Sequence, residues 1–178
     1  MNITAEEASS FDVLKEVREL KKKDIYLNSV FYPIKILSSR KKGAYFEKVV
    51  SEALREKGYV VEKAKTSGHD RIVVILDDVK KVEIKGSFLW EGGTHFRWQQ
   101  IRPDQDYDTI CFLAVFPDRL EIYGATHEQC SKHIDVQDSN GHWPYNQHGG
   151  KKVRSGAFSI DVKPNEIPSW FKPVEELL

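Results

Sequence analysis

The chain has 178 residues, and its 27 lysines and arginines balance 27 aspartates and glutamates, so the formal net charge is zero. Apolar residues make up 40% and charged residues 30%, enough for a real core under a solvated surface, which excludes a disordered chain. Neutrality also excludes a uniformly basic nucleic-acid binder, though not a basic face, and a carboxylate-rich metal site would use up negative charge locally.

In chain order, Met1–Ser10 carries Glu6 and Glu7 and lacks the basic-then-apolar order of a secretory signal. No later run approaches the roughly 20 apolar residues that span a bilayer, so a soluble, cytoplasmic protein is expected. Residues 10–23 predict a helix. Ser10 can cap it, Val13, Leu14, Val17 and Leu20 share one face, and Lys21, Lys22 and Lys23 suit its C-terminal end. Residues 24–36 are mixed around Pro33. The clearest helix runs from Gly43 to Lys57, with Phe46, Val49, Val50, Ala53 and Leu54 in one stripe and Gly58 as its stop.

A strand is expected over Tyr59–Ala64, then a turn at Thr66, Ser67 and Gly68. Arg71–Leu76 and Val79–Lys85 should pair as a hairpin through Asp77 and Asp78. Ser87–Tyr107 is dense in Trp, Arg and Gln and predicts an irregular crossover. Thr109–Phe116 is a buried-type strand enclosing Cys111 as a free thiol, and Leu120–Tyr123 returns beside it after Pro117 and Asp118. With Cys130 the only other cysteine, a disulfide framework is not expected and a reducing compartment is. Past residue 126, four of the six histidines fall among Gly and Pro with little periodicity, which predicts an irregular C-terminal lobe packed on the core. The expected organisation is an N-terminal helical segment (1–42), a core (43–125) and that lobe (126–178), in a mixed α/β sheet.

The chemistry centres on Asp70 and on Glu83-Ile84-Lys85. On a strand, residues i and i+2 share a face, so Glu83 and Lys85 project together while Ile84 turns to the apolar side. Asp70 opens the partner strand, and antiparallel pairing makes it their neighbour. Two carboxylates can hold Mg²⁺ with positions left for water and a phosphate oxygen, and the Ile84 carbonyl is a further candidate ligand. Lys85 can then orient or deprotonate the attacking water and offset transition-state charge. Glu47, at the margin of the apolar stripe of the main helix, can reach the same place. The ordinary alternative is an exposed strand face, on which carboxylate-spacer-lysine is common.

These residues resemble the PD-(D/E)XK nucleases, whose pattern is an acidic residue, an interval, then Glu or Asp, any residue and Lys. Here it reads Gly68-His69-Asp70 and Glu83-Ile84-Lys85, with His69 where the family name has proline. The resemblance implies a restriction-endonuclease-like fold, metal-bound carboxylates at Asp70 and Glu83, a catalytic Lys85, and Glu47 as the acidic residue of the first core helix. Mg²⁺ would be the cofactor, with Mn²⁺ able to substitute. Phe96-Arg97-Trp98-Gln99-Gln100-Ile101-Arg102-Pro103 and Gln147-His148-Gly149-Gly150 look like stretches of bacterial restriction-endonuclease-like proteins. That points to a type II restriction endonuclease acting on double-stranded DNA as a homodimer. A repair, junction-resolving or mobile-element nuclease of the same fold, or a non-catalytic DNA-binding module, are the alternatives.

Arg97, Gln99, Gln100 and Arg102 are candidate DNA contacts because Arg and Gln make bidentate bonds to base edges; the alternative is a surface crossover around a buried Trp98. Lys151 and Lys152, in a basic loop ending at Arg154, are candidate phosphate contacts or simply solvated, and so are Arg40, Lys41 and Lys42. His127, Cys130 and His133 are spaced loosely like zinc ligands, with His142 or His148 as a fourth, against the plainer reading of an ordinary buried cysteine. His142–His148 also invites comparison with histidine-based metal nucleases. Pro168, Trp170, Phe171 and Pro173 are expected either to bury against the core or to make a dimer contact.

Overall fold

The computed structural model describes residues 12–65, 68–76, 78–90, 93–135 and 157–178. The first helix, α1, spans Asp12–Lys22; the expected cap Ser10 lies outside the described residues. A single turn, α2 (Tyr32–Lys35), carries Pro33 near its start, where a fixed φ suits a first helical turn. The main helix, α3, covers Ser39–Glu56 and so begins one turn before the expected Gly43. Ser38 takes the extended N-cap conformation. The added turn, Ser39 to Lys42, carries no apolar residue, so hydrophobic periodicity could not register it.

The strands are β1 (Val60–Lys63), β2 (Arg71–Ile75), β3 (Asp78–Trp90), β4 (His95–Ile101), β5 (Thr109–Val115), β6 (Leu120–Thr126), β7 (Phe158–Val162) and β8 (Lys172–Pro173). A helix, α4 (His127–Asp135), follows β6, and a 3₁₀ turn at Val174–Glu176 closes the chain. The result is a mixed α/β protein. One eight-stranded sheet runs β1-β2-β3-β5-β6-β8, and β4 leaves this path to pair with β3 and β7. β1, β2 and β3 form the expected antiparallel meander, with Arg71 opposite Val82 and Ile75 opposite Asp78. The last pair makes Asp78 the first residue of β3 rather than part of the connection. Leu76 takes φ 55°, as a two-residue hairpin turn requires. β3 and β5 are parallel, with Glu83 opposite Ile110 and Lys85 opposite Phe112.

The region 87–107 is not the irregular crossover its composition predicts. β3 continues to Trp90, and β4 returns beside it with Leu89 opposite Phe96 and Trp90 opposite His95. Phe96 and Trp98 are fully buried, while Arg97 and Gln99 point the other way, which is strand alternation. The pattern breaks between Trp98 and Ile101, where the pairing with β7 shifts register and Gln100 adopts φ 60°. This bulge returns Ile101 to the core and hides the period from a sequence reading. Past residue 126 the chain likewise holds more order than expected: α4, and strands that pair with β4 and β6.

Both faces of the sheet are covered. On one, Phe46, Val50 and Leu54 of α3 join Val73, Val82, Ile84 and Phe88. Phe46 lies so close to Gly86 that a Cβ there would sit 2.2 Å from its ring, so glycine lets α3 approach β3. On the other face, Phe96, Trp98, Phe112, Phe158 and Phe171 form an aromatic core. Phe171 stacks on Phe112 at 4.6 Å with the rings nearly parallel, so it buries against the core. Trp98 donates its Nε1–H to the Leu113 carbonyl at 3.1 Å, which satisfies its polar atom in that apolar setting. No helix among the described residues is long and apolar enough to cross a membrane.

Candidate active site

The site begins as a gap in the sheet. β2 pairs with β3 through Val82, and β4 pairs with it only from Leu89 onward. Between these points β3 has β5 on one side and no strand on the other. Asp70 stands at the mouth of this gap, held at both ends. Its backbone N–H donates to the Val82 carbonyl at 3.1 Å, and its carboxylate Oδ2 accepts the Ile84 N–H at 2.8 Å. A strand residue's N–H and C=O point to the same side. The Ile84 carbonyl therefore also faces the gap, toward Asp70.

Glu83 and Lys85 emerge together, as the two-residue period requires. Lys85 Nζ lies 2.5 Å from Glu83 Oε1. Glu83 is only 4% exposed. Burial pushes its carboxyl above the ordinary range; Lys85 pulls it back down, while the nearby Asp70 and Glu47 carboxylates add to the upward push. Three carboxylates thus share one neighbourhood.

Arg71, which the sequence reading did not single out, organises the third carboxylate. It is 9% exposed. Its Nη1 donates to Glu47 Oε2 at 2.9 Å and to the Asp70 carbonyl at 2.7 Å, and its Nε donates to Ser51 Oγ at 2.8 Å. One guanidinium therefore ties α3 to the backbone of Asp70 and offsets the charge of Glu47. The signal was available in principle: an arginine directly after the acidic residue, opening a strand otherwise made of Val and Ile.

Beyond the carboxylates the gap opens into a groove of about 670 Å³ that includes Asp70, Ile84 and Lys85. One wall is the first turn of α3, with Arg40, Lys42 and Gly43. The other is β4, with Arg97, Gln99 and Gln100. The floor follows β3 to Trp90, which is 43% exposed.

The structure thus brings Asp70, Glu83, Lys85 and Glu47 to one place, and Arg97, Gln99 and Gln100 to a wall beside it. Arg102 is exposed and does not line the groove. Arg97 forms a two-pronged ion pair with Asp161 of β7 at 2.8 and 2.7 Å and lies 5.3 Å from the Trp90 ring centre. Lys151, Lys152, His142 and His148 lie outside the described residues. Within α4, Cys130 is a buried free thiol, with burial pushing it up to about 12. His127 Nε2 meets the Pro103 carbonyl at 2.7 Å, and His133 lies against Trp170.

Among the described residues, no three His, Cys, Asp or Glu side chains converge closely enough to hold a metal ion by themselves. For α4 this removes the support for a zinc site drawn from the described residues. At the gap the candidate ligands are the Asp70 and Glu83 carboxylates and the Ile84 carbonyl; Glu47 is paired with Arg71, and Glu83 with Lys85. Mg²⁺ suits such a set. It usually keeps several waters and binds through one or two carboxylates plus substrate phosphate, not in an all-protein cage.

No family model and no curated protein matches the chain. Among solved structures, the fold is similar to that of a bacterial homing endonuclease, I-Ssp6803I, with a TM-score of 0.50 and 14% identity. The match covers 79% of this chain and 91% of the other.

Proposed function

We propose that this protein is a divalent-metal-dependent DNA endonuclease of the PD-(D/E)XK type. The observation that carries the reading is the convergence of Asp70, Glu83 and Lys85 on one open stretch of β3, beside a groove. The similarity of fold to an endonuclease supports it. Asp70, Glu83 and the Ile84 carbonyl would hold Mg²⁺, with Mn²⁺ able to replace it. The metal supplies Lewis-acid activation of the scissile phosphate and a water of lowered pKa.

The remaining chemistry belongs to the chain. The Asp70 backbone is fixed on Val82, and its carboxylate cannot swing away without losing the bond from the Ile84 N–H. Burial and neighbouring carboxylates disfavour the charged form of Glu83, so a cation at this place is attracted in proportion. Lys85, anchored on Glu83, orients the attacking water toward phosphorus and offsets charge that builds on the phosphoryl oxygens. Glu47 assists through Arg71, which fixes the distance between α3 and Asp70. Gln99 and Gln100, both on the groove wall, would read base edges.

A sequence-specific enzyme of the type II restriction class is the finer reading. The likeness to a homing endonuclease favours a second one, a homing-type nuclease on the same fold. Cutting both strands of a duplex needs two active sites, so a homodimer is expected under either reading. The test is incubation of unmodified plasmid with the protein and Mg²⁺, with EDTA as control. Discrete fragments support a sequence-specific nuclease and a smear a non-specific one. Intact plasmid under all divalent ions tried would overturn the reading.

A further inference from the structure

The cations around the groove divide into two kinds. Lys85 is paired with Glu83, Lys35 with Asp24 at 2.5 Å, and Arg97 with Asp161. Lys42 and Arg40, on the first turn of α3, line the same groove, and neither has a carboxylate partner within ion-pair distance among the described residues. Lys42 is also half-buried. Burial, with some repulsion from Lys35, pushes its ammonium below the ordinary lysine range. A partly desolvated cation with no counter-charge costs folding free energy, and such groups concentrate at sites that receive an opposite charge from outside.

The backbone here is also open. Gly43 has no side chain and would meet nothing within 4 Å if it had one. Ser38, the N-cap, makes no side-chain bond to the helix, so its hydroxyl satisfies none of the first-turn N–H groups. At 1.5 Å rise per residue, Lys42 stands about 7.5 Å along α3 from Glu47.

Resting on the nuclease reading, we infer that Lys42 and Arg40 form the phosphate-gripping site of this protein, holding the DNA backbone to one side of the scissile bond. The backbone is thus gripped from α3. β4 is left to touch bases, and Arg97, neutralised by Asp161, stiffens Trp90 and that wall instead of holding phosphate.

The experiment is the salt dependence of binding to a short mixed-sequence duplex, measured with Ca²⁺ replacing Mg²⁺ so that cleavage does not intervene. The proteins are native, Lys42→Met with Arg40→Met, Arg97→Met, and Lys48→Met. Lys48 lies on α3 outside the groove and controls for loss of bulk charge. Each lost phosphate contact makes the slope of log K against log salt shallower by about 0.9. The double variant should lose about 1.8 of slope, so its loss of affinity between about 50 and 200 mM salt is roughly tenfold smaller than the native protein's. Arg97→Met and Lys48→Met should keep the native slope. Cooperative melting at or above the native temperature checks that the variants fold. A native slope in the double variant, or a shallower one in Arg97→Met, overturns the assignment to α3 while the nuclease reading stands. A native protein that neither binds nor cuts duplex DNA ends both.

Discussion

Two places among the described residues carry metal-ligating residue types singled out in the sequence, and the structure treats them differently. At the gap in β3, Asp70, Glu83 and Glu47 crowd together where a strand edge is left unpaired, and the buried Glu83 carboxyl is pushed up. On α4, His127, Cys130 and His133 are spent on packing. One meets a backbone carbonyl, one is a buried thiol, and one lies on a tryptophan. Residue type and spacing were suggestive at both. What separates them is whether the carboxylates gather beside an open groove or each group is spent on a separate packing partner.

That contrast can be tested hardest at the gap. Asp70→Asn or Lys85→Ala should lower cleavage of plasmid DNA at least ~10³-fold, the scale seen when a preorganised charge is removed from a reacting centre. Circular dichroism should show both variants folded. Cleavage within a few-fold of native would make the two places equivalent and defeat the distinction.

Next in size is Arg71→Met, which leaves Glu47 without its partner and unties α3 from Asp70. Breaking such a pair, with Glu47 29% exposed and so partly screened, should cost about 2–3 kcal/mol in urea unfolding. Cleavage should fall as well, because the distance from α3 to Asp70 is no longer fixed. A stable variant with full activity would show that Arg71 is incidental.

At α4 the effects should be on stability alone. Cys130→Ala removes a buried sulfur and should cost about 1–2 kcal/mol, with cleavage and metal dependence unchanged. Loss of activity at native stability would reopen a functional role for this helix.

The smallest effect has the opposite sign. Glu83 has its folded-state pKa raised above its ordinary value of 4.5, so the folded protein holds this proton to higher pH than the unfolded chain does. The contribution favours folding below that value and is lost as pH rises through the folded pKa. Glu83→Gln removes the penalty of the buried charge. It should raise the melting temperature at neutral pH by about 2–4 °C, the equivalent of ~1 kcal/mol in a chain of this size, while abolishing cleavage. A melting temperature that falls would mean that the ion pair with Lys85 outweighs burial.

Much of the fold was legible in the chain because its signals are local. The α3 stripe, the β2–β3 hairpin and the apolar β5 run each announce themselves within a few residues. The pairing of Glu83 with Lys85 followed from the two-residue period alone, and the approach of Asp70 from antiparallel register. What escaped depended on partners distant in sequence. β4 read as a loop because the bulge at Gln100 breaks its alternation and its outward residues are polar. Trp98 is buried by Phe112 and Phe171, which lie far along the chain. The part played by Arg71 needs Glu47 and Ser51 on another element, and the pairing of Arg97 needs Asp161, 64 residues on. No spacing rule connects such residues.

The most direct measurement is titration of the native protein and of Asp70→Asn with Mn²⁺, without DNA, followed by calorimetry or by the loss of the free-ion electron paramagnetic resonance signal. The native protein should take up the ion at a saturable site, release it to excess Mg²⁺, and lose that site in the variant. Native protein with no saturable uptake, or a variant that binds as tightly, would contradict a cation site at the gap in β3.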